Sequence, residues 1–171
     1  MVSQRNKLVL SGVYASLLLS AAASVSAVEK ASGVYLAPSV GYQYFDSKDF
    51  IQGENSGHID SDVTYGLGLG YKAKGPWATE LKYDETRSEI DGVDVDFFHW
   101  HVDQYYFLDD KEAGSLLYLV GGVGDARFDP DGRAKGDDHQ TFINAGVGIA
   151  KSITPNVLVK SDIRLQNSLD A

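Results

Sequence analysis

Asp62-Val63-Thr64-Tyr65-Gly66-Leu67-Gly68-Leu69-Gly70-Tyr71-Lys72 is the stretch that decides the fold. Large apolar side chains at Val63, Tyr65, Leu67, Leu69 and Tyr71 alternate without a break with Thr64, Gly66, Gly68, Gly70 and Lys72. A period of two is what a pleated strand imposes, because successive side chains leave opposite faces. One face of this strand is therefore greasy, and the other is built from glycine and polar groups.

The same alternation recurs on both sides of it. Upstream, Val34, Leu36, Val40, Tyr42 and Tyr44 oppose Tyr35, Ala37, Ser39, Gly41 and Gln43; downstream, a third run covers 77–83. In the fourth, 98–108, the residues Phe98, Trp100, Val102, Tyr106 and Leu108 face away from His99, His101, Asp103 and Tyr105, with Gln104 out of pattern. The fifth, 116–128, is so rich in glycine that its faces stay undetermined. The sixth sets Ile143, Ala145, Val147 and Ile149 against Asn144, Gly146, Gly148 and Ala150, and the seventh sets Val157, Val159, Ile163 and Leu165 against Leu158, Lys160, Asp162, Arg164 and Gln166. Seven strands are visible, and no later segment is a continuous apolar run of spanning-helix length.

Long polar connections alternate with short ones. Residues 46–61, 85–92 and 129–139 read as long acidic loops, whereas 73–76, 109–114 and 152–156 are short links with Gly or Pro where a turn needs them. An up-and-down barrel with short turns on one rim and long loops on the other produces this order. The predicted fold is all-β, an antiparallel up-and-down transmembrane barrel whose long loops face the cell exterior.

A soluble lipocalin-like barrel shares the alternation, so the content of the faces has to separate the two. Soluble small barrels fill their interior with large apolar groups and expose charge. Here the non-apolar face carries Gly66, Gly68, Gly70, Gly146 and Gly148, which suit a narrow, crowded lumen. Tyr42, Tyr44, Tyr65, Tyr71, Trp77, Tyr83, Trp100 and Tyr106 lie toward strand ends, where membrane interfaces favour amphipathic rings.

The N-terminus agrees with an exported protein. Arg5 and Lys7 precede an apolar stretch at 8–22 and the small residues Val25-Ser26-Ala27, the pattern of a cleaved leader. Cleavage after Ala27 divides the chain into a signal peptide, 1–27, and a barrel domain, 28–171, of 144 residues (171 less 27). Losing Arg5 and Lys7 takes the formal charge from -9 to -11, which sets nucleic acid aside as a partner. Cysteine is absent, so no disulfide framework or thiolate metal site is available.

Three stretches, Tyr35-Leu36-Ala37-Pro38-Ser39-Val40-Gly41-Tyr42, Tyr65-Gly66-Leu67-Gly68-Leu69-Gly70-Tyr71 and Asp162-Ile163-Arg164, resemble the N-terminal eight-stranded domain of OmpA and OprF-type outer-membrane proteins. The resemblance covers essentially the whole of 28–171. It implies an outer-membrane location in a Gram-negative envelope, contact with outer-membrane lipid and lipopolysaccharide, and handling by the barrel-assembly machinery during insertion. It also implies a structural or narrow, porin-like pore role. Two departures from the family pattern are read within 28–171: it shows no peptidoglycan-binding domain, so wall anchoring is not predicted, and it shows seven strands, so a closing eighth strand is expected to lie beyond them.

By parity, Glu80 and Lys82 on the third strand and Lys160, Asp162 and Arg164 on the seventh project into the lumen. Those strands lie opposite each other in an eight-stranded cylinder, so a long Arg could cross to meet Glu80, and the expected result is a lumen plugged by a charged network. Exchange of partners among Glu80, Lys82 and Arg164 would then gate a narrow solute path. Enzymatic readings find little support. His99 and His101 share a face with Asp103 but lack a third convergent metal ligand; Asp129-Pro130-Asp131-Gly132 puts Arg127 where a calcium loop needs its first carboxylate; His139 has no nucleophile beside it. No catalytic residue, metal or cofactor is predicted, and the alternative is a barrel enzyme, or a ligand or adhesion binder acting through the outer loops.

Overall fold

The computed structural model describes residues 11–16, 32–45, 62–90, 93–108, 115–130, 139–154 and 157–169. Its elements are all strands: β1 (Ser11–Ser16), β2 (Gly33–Phe45), β3 (Asp62–Lys72), β4 (Trp77–Ile90), β5 (Val93–Leu108), β6 (Ser115–Pro130), β7 (His139–Thr154) and β8 (Val157–Ser168). Each pairs antiparallel with its neighbour in the chain, and β1 pairs with β8, so the sheet closes on itself. Closure removes the unpaired edges that would otherwise expose backbone N–H and C=O groups.

The seven strands read from the sequence are β2 to β8. The position expected to be empty is occupied: Ser11–Ser16, inside the segment read as the leader, lies between β2 and β8, with Gly12 opposite Phe45 and Gln166. Two adjacent edges with no partner attract any chain able to extend, and this short run can adopt a strand.

One expected long loop is mostly strand. β4 runs to Ile90 and β5 starts at Val93, paired from Trp77↔Tyr106 to Ile90↔Val93, so 85–90 of the expected loop 85–92 belong to the hairpin. Polar residues here do not mean loop: Arg87 lies on the outer face, bonded to Glu85 (3.1 Å) and near Asp96 (3.9 Å), as suits strands that have left the apolar zone. The expected loop 46–61 and link 109–114 fall outside the described residues, as do the middle of the expected loop 129–139 and the end of the expected link 152–156; the ends 129–130 and 139 of that loop and 152–154 of that link are strand, in β6 and β7. At 73–76 the tight link is present; Gly75 adopts φ 110°, a left-handed conformation that a side chain disfavours, and Ala73 N–H donates to the Trp77 carbonyl (2.9 Å).

The faces sort as the pleat requires. Outward on β2 to β8 stand Val34, Leu67, Leu81, Val102, Leu119, Ile149 and Leu165 with their neighbours of equal parity, all exposed. Inward stand the glycines, the charged groups and a smaller apolar cluster of Ala78, Tyr105, Phe107, Tyr118, Val120, Ala150 and Leu158 at the short-turn end. β6, undecided from its pattern, puts Leu117, Leu119 and Val123 outward and Tyr118 and Val120 inward.

Candidate functional site

The site is the lumen. Three strands deliver its charges: β4 brings Glu80, Lys82 and Asp84, β5 brings His101 and Asp103, and β8 brings Lys160, Asp162 and Arg164 at every second position. All are at least nine-tenths buried, and β3, β6 and β7 face them with Gly66, Gly68, Gly122, Gly146 and Gly148. Those glycines make the room. A Cβ on Gly146 would stand 2.7 Å from Arg164 Cγ and 2.5 Å from the Ile163 carbonyl oxygen, and a Cβ on Gly122 would collide with Asp103 Oδ1.

The five ionic residues singled out in the sequence all enter the lumen, but their pairing differs from the expected one. Glu80 meets Lys160 (2.8 Å) rather than Arg164, and Lys82 meets Asp84 on its own strand (3.1 Å). Arg164 turns to Asp162, already in the expected network, through its Nε (2.9 Å), and to Asp103, which the sequence reading had left out, through its Nη1. Height along the axis decides this. Parity says which face a residue takes, whereas the stagger of the closed sheet says which residues across the lumen share a level.

Two tyrosines and a histidine tie these pairs together. Arg164 Nη2 donates to Tyr105 Oη (2.9 Å), which donates to Glu80 Oε1 (3.3 Å), while Tyr118 Oη donates to Asp162 (2.7 Å). Lys160 Nζ lies 4.1 Å from the Tyr105 ring centre, a cation–π geometry. His101 spans two acids, with Nε2 2.8 Å from Asp84 and Nδ1 2.9 Å from Asp103. With its second proton the imidazole would donate to both, since ionised carboxylates only accept. The network then balances: Lys82, His101, Lys160 and Arg164 against Glu80, Asp84, Asp103 and Asp162. Buried charge demands such compensation.

His101, read as a candidate zinc ligand, already has a carboxylate on each ring nitrogen, and His99 packs edge-on against Phe142 with ring centres 5.8 Å apart. Asp103, His101 and Tyr105 were on the correct face in the sequence pattern and could have been added to the network from parity. Tyr118 sat on the strand whose faces glycine obscured.

On the outside, Trp77 packs on Tyr106 (4.7 Å between ring centres) and Tyr83 on Trp100 (4.6 Å). Tyr71, Trp77 and Tyr106 form a group near the short-turn end, and Tyr65, Tyr83 and Trp100 a second, with Tyr42 beside it on β2; six residues separate the groups, about 20 Å along a strand. The side chain of Tyr44 lies outside the described residues. Beyond the second group the outer face turns to charge at Glu85, Arg87, Asp125 and Arg127.

An exposed apolar band that encircles a closed barrel is not compatible with water around it. The profile of the family described as outer membrane protein beta-barrel domain matches residues 13–170. The chain belongs to that family. No curated protein and no solved structure matches it. As a member of an outer-membrane barrel family it is an outer-membrane protein, and its apolar band is the surface that lipid covers. The match begins at residue 13, within β1.

Proposed function

We propose that this outer-membrane barrel is a structural element of a Gram-negative envelope whose lumen is blocked, an OmpA-like rather than an open porin-like barrel. Its long loops would face outward, and it would be exported by the leader ending at Ala27 and inserted by the barrel-assembly machinery into lipid and lipopolysaccharide. The observation that carries the reading is the filled short-turn half of the lumen. Below the ionic network, Tyr105, Phe107, Tyr118 and Leu158 pack together, with Phe107 and Tyr118 ring centres 5.6 Å apart. Ions crossing there would have to displace side chains already in contact.

Partner exchange in the network would not by itself open a path, because Glu80 and Lys160 separate while the aromatic layer stays in place. The purified full chain in planar bilayers is expected to give no stepwise conductance above baseline, and Phe107→Ala with Leu158→Ala is expected to create one. Reproducible steps from the unaltered chain would overturn the blocked-lumen reading.

A further inference from the structure

The buried ring of His101 is held from both ends by acids, with Nε2 2.8 Å from Asp84 of β4 and Nδ1 2.9 Å from Asp103 of its own strand. An imidazole with a single proton has one donor and one acceptor. Between two carboxylates it would set its bare nitrogen against an oxygen lone pair, at hydrogen-bond distance and with no hydrogen between. Each acid also meets a cation, Asp84 at Lys82 Nζ (3.1 Å) and Asp103 at Arg164, so a proton added to this cluster goes to the ring rather than to a carboxylate.

The surroundings of the ring favour the same state. From β4, Lys82 stands directly across the ladder with Asp84 beside it; from β5, His99 and Asp103 share the lumen face; from β8, Arg164 reaches Asp103. β6 and β7 bring no charge to it, facing it with Gly124 and with the Phe142 ring at 5.9 Å. With His101 charged, the cations Lys82, His101, Lys160 and Arg164 match Glu80, Asp84, Asp103 and Asp162 one for one; with His101 neutral, one buried acid is left uncompensated. Room for a water molecule adjoins the ring toward the long-loop end, beside Ser39, Thr64 and Gln166, so a proton can be exchanged from that side. The packed aromatic layer closes the other side.

We propose that His101 is a pH-operated lock on the lumen: protonated, it joins the Lys82–Asp84 pair of β4 to the Asp103–Arg164 pair that reaches β8, and alkali releases it. An exposed histidine gives up its second proton near about pH 6.5. Above that pH the unfolded chain holds no proton at position 101 while the folded barrel holds one. Stability from the lock is therefore complete at lower pH and declines as pH rises, by up to about tenfold in the folding equilibrium constant per pH unit for one proton.

The test is urea unfolding of the full chain in lipid vesicles between about pH 7 and pH 9, where neither carboxylates nor lysines in water titrate. Across that range the folding equilibrium constant of the unaltered chain is expected to fall at least about tenfold more than that of His101→Gln, which has no ring proton to lose. A purely structural role for His101 would lower stability equally at every pH, so parallel profiles overturn the proposal, as does an unaltered chain that gains stability toward alkali. Should His101→Gln not reach the heat-modifiable folded form, the unaltered folded chain decides. Nitrogen-15 NMR of its four histidines at about pH 8 is expected to show one ring with hydrogen on both nitrogens, and four neutral rings would overturn the proposal.

Discussion

Arg164 shows how much one side chain can be asked to hold. Its guanidinium reaches Asp103 on β5, Asp162 two residues away on its own strand, and Tyr105, so three polar groups each lose one of their partners when it is shortened. Arg164→Ala leaves Asp103 and Asp162 buried without that cation, and the expected loss is about 3 to 5 kcal/mol, less to the extent that lumen water relieves it. The check is the urea midpoint for loss of the heat-modifiable form in lipid vesicles. Double-mutant cycles then locate the coupling: Arg164 with Asp103 is expected to be strongly non-additive, and Arg164 with Glu80 weakly so, since those two meet only through Tyr105. Equal coupling in both cycles would contradict the pairing described above. The sequence located all five ionic side chains because parity is local. It misassigned their partners because level in a barrel is a property of the closed sheet.

At the scale of strands, the residue that broke the pattern of β5 turns out to be explained by its neighbour. Gln104 faces outward in the apolar band, and Thr79 of β4, directly across the ladder, donates its hydroxyl to Gln104 Oε1 (2.8 Å). Two polar groups satisfy part of each other's demand where lipid offers none. Thr79→Val alone is expected to lower stability by about 1 to 3 kcal/mol, because it strands the Gln104 amide. Adding Gln104→Leu should recover most of that loss. If the double variant is no more stable than Thr79→Val, the pair is not what makes Gln104 tolerable. Strand patterns were legible wherever large and small residues alternate, as in β3 and β7. They failed where chemistry and geometry part company: glycines at 121, 122 and 124 hid the faces of β6, and the polar ends of β4 and β5 passed for a loop although they continue the hairpin.

For the whole molecule, two requirements meet at the seam between β2 and β8. Export by the cleaved leader proposed above would remove residues 1–27, and with them β1, which pairs with four residues of β2 and six of β8. In hydrocarbon each backbone group left without a partner costs several kcal/mol, so a sheet with both of those edges open would not persist in the bilayer. Ser11–Ser16 thus marks where a strand is required more than which strand serves there. Residues 28–171 alone are expected to remain protease-sensitive and to show no heat-modifiable band after refolding into lipid. The full chain, or 28–171 extended by roughly 10 residues alternating apolar with small or polar, is expected to gain both properties, since outer-membrane strands of that length span the bilayer. A closed, protease-resistant barrel formed by 28–171 without addition would show that β2 and β8 can pair directly and that the lumen closes around seven strands.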